Sequence, residues 1–265
     1  MDRPKIVFIH VQKAGGTALR RALSKHFPAE EICEERFNKL REWAPEELNR
    51  YRLFAGHFSF SSLIHIRGPK IIIMLLREPR ARLLSYFNFV KRHRRAYLAE
   101  KEPDLCLVKD MTLSQFLQSG APYHQRIADQ IGDGSLLRSI IRFLKIDVIC
   151  FAENMPRAQR MIWQRLGLPP PTQPLPRANV TSSLKGTTFE DEPFVETPLS
   201  AYDKRLLNKL TRGERLLYAI AALQVASLGP LRTSRGAMRW FLEGTFAWLS
   251  CKPGSRPWRW RNRAP

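Results

Sequence analysis

The sequence predicts an α/β protein, a P-loop-like parallel sheet flanked by helices, and three observations carry that expectation. Residues 5–10, 70–76 and 146–151 are rich in Ile and Val and nearly continuously apolar rather than alternating, as strands covered on both faces must be. Helix-like stretches separate them, and strand, helix, strand in repetition implies a parallel sheet with right-handed crossovers. With 265 residues, 44% of them hydrophobic, the chain has apolar material for one sizeable core.

The first strand, 5–10, opens the chain and passes through a glycine-containing turn into a helix over 17–27. A weaker strand, 52–55, leads into Gly56. The strand at 70–76 is followed by Pro79, suited to a first helical position, and a helix over 80–97. A helix over 135–144 precedes the strand at 146–151, and another, 156–166, follows it. From 169 to 198 Pro, Thr and Ser dominate, the composition of an irregular surface segment. A helix is expected over 200–210, and 216–231 is a run of sixteen uncharged residues. No internal repeat is present. The chain divides into a single α/β domain over 1–215 and a mainly helical, basic and aromatic C-terminal extension over 216–265.

Lys plus Arg number 44 against 24 Asp plus Glu, a formal charge of +20, which points to an anionic ligand, polymer or surface. Cys33, Cys106, Cys150 and Cys251 show neither C-x-x-C spacing nor the density of a disulfide framework, so a reducing compartment is expected and no zinc site. The apolar run at the N-terminus is too short for a signal segment, and the expected location is cytoplasmic. The run at 216–231 is shorter than the roughly 20 residues of a membrane span and ends at Gly229-Pro230, so a helix closing the core is expected. The tail beyond it sets Trp240, Phe241, Phe246, Trp248, Trp258 and Trp260 among arginines, a composition suited to peripheral contact with an anionic membrane.

Two segments carry chemistry. In the first, Gln12, Lys13, Ala14, Gly15, Gly16, Thr17 and Ala18 join a buried strand to a helix. Such a junction offers unpaired amides and the positive end of a helix dipole to a phosphate, and glycines admit the anion to the backbone. A Walker A loop places its Lys after the glycines, whereas Lys13 precedes Gly15-Gly16-Thr17, which argues against a nucleotide kinase. In the second, Arg77-Glu78-Pro79-Arg80-Ala81-Arg82-Leu83-Leu84-Ser85, an arginine closes an apolar strand where α/β sheets bind ligands, and its fork suits a phosphate. Arg80 reads as solvated surface.

Together these segments resemble the sulfotransferases that use 3′-phosphoadenosine 5′-phosphosulfate (PAPS), in particular the carbohydrate O-sulfotransferase branch with its heparan sulfate 2-O-sulfotransferase-like enzymes. The resemblance implies that residues 12–18 hold the 5′-phosphosulfate, with Lys13 neutralising the departing phosphate oxygen, and that Arg77 and Ser85 hold the 3′-phosphate. Gly56-His57-Phe58-Ser59-Phe60 is similar to the segment that carries the catalytic histidine in uronyl 2-O-sulfotransferases, which implies a general base at His57; His10, His65 and His124 are its rivals. The stretch at 179–186 is similar to one that closes over the nucleotide, implying contacts from Lys185 and Gly186. Gln125 and Arg126 resemble an acceptor-side Gln-x-Arg element in which the expected Asn is His124. A carbohydrate or glycolipid acceptor follows, with no metal and no nucleic-acid partner.

The basic run Lys91-Arg92-His93-Arg94-Arg95 reads equally as a solvated helix face or as a patch steering an anionic glycan. A non-catalytic basic protein binding nucleic acid or an anionic membrane is the competing reading. It requires neither a lysine-glycine turn nor an arginine placed at a strand end.

Overall fold

Strands form where aliphatic residues are densest: β1 (Lys5–Ile9), β2 (Leu53–Gly56), β3 (Lys70–Leu76) and β4 (Val148–Phe151). The computed structural model describes residues 3–119, 126–169, 173–175, 189–190 and 198–228. Among these the four strands build one all-parallel sheet in the order β2-β1-β3-β4, as expected for this class. Ile9, the last residue of β1, lies opposite Gly56 on one side and Met74 on the other. The chain moves from β1 to one flank and then crosses to the other, so the seam between β1 and β3 is the switch point of the sheet. Crevices at the carboxyl ends of such strands are where open α/β sheets bind ligands.

Both faces are covered, which is why the strands show no alternation. Ile6, Phe8, Ile73, Leu75, Val148 and Cys150 pack under Leu19 and Leu23 of α1 (Gly16–Ser24) and Ala158, Ile162 and Trp163 of α9 (Met155–Leu166). On the other face Val7, Ile9, Phe54, Met74, Leu76 and Ile149 meet Ile127 and Ile131 of α7 (Ile127–Gly132), Phe143 of α8 (Leu136–Phe143), and Leu217 and Ala221 of α11 (Arg212–Leu228). A third cluster joins α3 (Pro79–Arg92), through Leu83, Phe87 and Val90, to α4 (Arg95–Lys101), α5 (Pro103–Asp110), α6 (Leu113–Gln118) and α10 (Ala201–Leu210). A short α2 (Pro45–Arg50) precedes β2.

The apolar run that begins at residue 216 lies on α11, with Leu217, Ile220 and Ala221 buried, so it closes the core. No helix among the described residues is long and apolar enough to cross a membrane. The basic aromatic tail beyond residue 228 and most of 169–198 lie outside the described residues.

One expectation is corrected. The helix expected over 80–97 ends at Arg92, where His93 turns extended with ψ of 145°, and α4 begins after it. The basic run is therefore not a solvated helix face: Arg92 and His93 are buried. Its donors serve backbone carbonyls instead. Lys91 Nζ donates to Lys109 O, Lys109 Nζ returns to Lys91 O and His93 O, and Arg94 Nε donates to Phe189 O. Arg95 pairs with Asp110. Cationic tips satisfy carbonyls that the helix break leaves open, tying α3 to α5.

Candidate active site

Three residues of different chemistry follow three adjacent strands: His57 follows β2, Lys13 lies in the turn after β1, and Arg77 follows β3. The turn after β1 is built on left-handed backbone, Lys13 at φ 61° and Gly15 at φ 81°, with Gly15 as the residue that caps α1. Helix α1 starts at Gly16, one residue earlier than the sequence suggests. Ala14 and Ala18 are buried, so from these positions only the main chain is offered to a ligand, whereas Gln12 and Thr17 are partly exposed. The first-turn amides of a helix have no intrahelical partner and favour an anion.

Lys13 and Arg77 meet at the β1/β3 seam. Arg77 Nη1 donates to the Lys13 carbonyl at 3.2 Å, and Lys13 Nζ lies 3.6 Å from the centre of the Phe89 ring. Burial first, and the Arg77 charge second, push the Lys13 pKa down from 10.5 to about 8. Neither side chain has a carboxylate partner among the described residues. Glu78, next to Arg77, is turned away, accepting from Arg80 Nε at 2.8 Å and from the Ala81 amide at 2.8 Å as the cap of α3. Two adjacent half-buried cations with no acid partner among the described residues suit a phosphate or sulfate as counter-charge. Ser85 stands two helical turns into α3, and its hydroxyl has no hydrogen-bond partner among the described residues.

Beside this pair lies a stack of two imidazoles. The His10 and His57 rings are 4.4 Å apart at 24°. His57 Nδ1 lies 2.7 Å from the His10 carbonyl, which can only accept, so Nδ1 carries the proton and Nε2 presents its lone pair. Burial holds the His57 pKa below its usual 6.5, and the Arg20 charge adds to this against the opposing bond to His10. His10 is more deeply placed, and burial, then the His57, Arg20 and Lys13 charges, push it down to about 3. It is a neutral, supporting ring. Gly16 is required by it, because a Cβ there would lie 2.2 Å from His10 Cδ2. His65 sits in an exposed turn away from these groups.

Residues 1–218 match the family model described as the sulfotransferase family. The chain belongs to the sulfotransferase family. No curated protein matches it. In this sulfotransferase the family supplies the general reaction, sulfuryl transfer, with PAPS as the usual donor, and the matched region contains every group just described.

Of the remaining residues singled out in the sequence, Arg126 opens α7 and is paired with Asp129, with Nη2 to Oδ1 at 2.7 Å and Nε to Oδ2 at 3.0 Å. Gln125, His124, Lys185 and Gly186 lie outside the described residues. Arg82, grouped with Arg77 in the motif, turns inward: it is 2% exposed and donates through Nη2 to both oxygens of Glu214, at 2.9 and 2.8 Å, while Glu214 also accepts from the Ile127 amide. This ion pair bolts α3 to α11 and α7. Gln130 went unnoticed in the sequence, yet its Nε2 donates to the His10 carbonyl at 3.4 Å and to the Phe58 carbonyl at 3.1 Å, bracketing His57. No local pattern announces it. Phe89 did carry a signal, standing one helical turn beyond Ser85 on α3. Among the described residues no three His, Cys, Asp or Glu side chains are grouped as a metal site requires.

Proposed function

We propose that this sulfotransferase transfers the sulfuryl group of PAPS to a hydroxyl of a carbohydrate or glycolipid acceptor by in-line displacement, with His57 as general base. The observation that carries this reading is the placement of His57, Lys13 and Arg77 beyond three neighbouring strand ends, with neither cation paired to an acid among the described residues. The donor, when bound, brings an activated sulfuryl group and a 3′-phosphate by which it can be held.

The chain's own residues then divide the work. Arg77, with the hydroxyl of Ser85, holds the 3′-phosphate. The amides that follow Lys13 hold the 5′ side, and Lys13 offsets the charge that grows on the departing oxygen, the dominant requirement of a loose transition state. His57 Nε2 takes the proton of the acceptor hydroxyl, while the bond from Nδ1–H to the His10 carbonyl fixes the tautomer that makes Nε2 a base. Lys185 and Gly186 are assigned to the nucleotide and Gln125 and Arg126 to the acceptor on the strength of the resemblance.

A thermal-shift panel with 3′-phosphoadenosine 5′-phosphate (PAP), ATP, AMP and short duplex DNA tests the donor assignment. PAP is expected to raise Tm well above the others, because ATP and AMP lack the 3′-phosphate. Equal shifts with ATP and PAP would overturn it, and a shift with DNA alone would favour a nucleic-acid-binding protein.

A further inference from the structure

We propose that Glu153, held in turn by Tyr218, is a positioning residue that sets Arg77 for the 3′-phosphate of the donor. This rests on the reading of Arg77 as the residue that grips that phosphate, and deepens it by naming what aims the guanidinium.

Strands β3 and β4 end together, with Leu76 paired to Phe151. Beyond that pair the chain after β4 coils into a short turn, Ala152–Asn154, and the ladder stops. The Glu78 amide, two residues past the ladder, is taken by a side chain instead: it donates to Glu153 Oε1 at 2.7 Å. That N–H belongs to the peptide group that leaves Arg77. Glu153 therefore fixes the root of the arginine, while the Lys13 carbonyl, 3.2 Å from Arg77 Nη1, fixes its tip. Among the described residues Glu153 pairs with no lysine or arginine, so it grips the peptide of Arg77 and leaves the guanidinium for an anion.

Glu153 is itself held. Its Oε2 accepts the Tyr218 hydroxyl at 3.0 Å, and the Tyr218 ring lies edge-on against Phe151 with centres 4.9 Å apart. Burial first, then the charge of Glu153 and the bond to it, and last the charge of Glu78 push the Tyr218 pKa above its usual 10, so the hydroxyl keeps the proton it donates. With one oxygen spent on an amide and the other on a hydroxyl, the carboxylate is fixed in orientation.

Tyr218 stands on α11 four residues after Glu214, on the same face. Glu214 holds Arg82, so α11 fastens the segment from Arg77 to Ser85 at two points one helical turn apart: Glu78 by way of Glu153, and Arg82 directly. A side chain that must meet a phosphate in one geometry needs such supports, because a small misplacement forfeits the charged contact.

Calorimetric titration of the full chain with PAP and with AMP, at one ionic strength, tests this. The two nucleotides differ by the 3′-phosphate, so the ratio of their affinities reads Arg77 and does not respond to a general loss of stability. Glu153→Leu, which removes both acceptor oxygens, is expected to weaken PAP about tenfold and AMP less than about twofold. Glu153→Gln, which keeps an oxygen for the Glu78 amide, should restore most of the wild-type ratio, and Tyr218→Phe should lower it by roughly two- to fourfold. In an Arg77→Ala chain, Glu153→Leu should cost PAP nothing further. If Glu153→Leu does not fold, Tyr218→Phe, which lacks only a hydroxyl, decides in its place. An unchanged ratio, a gain in PAP affinity when the carboxylate is removed, a Gln variant as weak as the Leu one, or a loss that persists in full in the Arg77→Ala chain overturns the proposal. A wild type that binds PAP no better than AMP would instead sink the donor assignment, and the proposal with it.

Discussion

Lys13 can be asked what it costs the protein. Replacing it by Met keeps the length of the side chain and the strain of φ 61° but removes the charge. Its pKa drops from 10.5 to about 8; at about 1.36 kcal/mol per unit, the ammonium is on the order of 3 kcal/mol worse off in the fold than in the unfolded chain. The contact with Phe89 is a separate gain, ~1 kcal/mol for a cation over an aromatic face. The net leaves Lys13→Met more stable than the wild type by about 2 kcal/mol at neutral pH, a rise in Tm of about 4 to 8 °C for a chain of this size. The pH dependence has a definite sign. Below pH 8 both folded and unfolded chains carry the proton and the penalty is complete. Between pH 8 and 10.5 the folded wild type sheds the proton first, so the wild type gains on the variant, and above 10.5 the difference due to charge is gone. Differential scanning calorimetry without nucleotide at pH 7 and pH 10 measures both values. The same variant should lose most of the Tm gain that PAP gives the wild type. A Met variant less stable than the wild type at pH 7, or a gap that widens with pH, would refute the idea that Lys13 is held as an uncompensated charge.

His57→Ala should lower transfer by roughly 10² to 10⁴ in kcat with little change in PAP affinity, read by paired kinetics and calorimetry. Because burial holds His57 below 6.5, the acid limb of the wild-type rate profile should fall below that pH; a limb above it would assign the base to another group. Gly16→Ala, which sets a methyl group 2.2 Å from His10 Cδ2, should displace the ring stack and cut kcat while lowering Tm; an unchanged Tm and rate would show that the ring yields freely. Glu214→Ala should destabilise by about 3 to 5 kcal/mol by leaving Arg82 buried and unpaired, and Arg82→Met/Glu214→Leu should recover much of the loss in chemical denaturation.

The parallel sheet was legible because strands covered on both faces must be apolar throughout, and the tight turn from β1 into α1 because Gly15 and Gly16 mark it. What escaped depends on distance along the chain. Arg82 lies in a motif, but its inward turn is fixed by Glu214, 132 residues away. Gln130 serves carbonyls at positions 10 and 58, a role that no spacing on α7 encodes. The break at His93 was hidden for a related reason: helix propensity favours continuing through Lys91 to Tyr97, and tertiary bonds from Lys109 and an isolated bridge to Phe189 override it.

Because β2 is the outer strand of the sheet, it does not share the seam where β1 and β3 present Lys13 and Arg77. Its free edge is hemmed by the segment that runs through Ile32, bridged to Leu53, and straight on to Arg36. His57 and its surroundings therefore hang on one border of the sheet, and the Lys13 turn on its spine. Insertions, deletions or substitutions between α1 and β2 can reshape what surrounds His57 without moving a strand of the β1/β3 pair. Under the proposed function, a fold so divided would let its clientele change while its currency stays: new acceptors would be reached by remodelling a margin, with the donor half untouched.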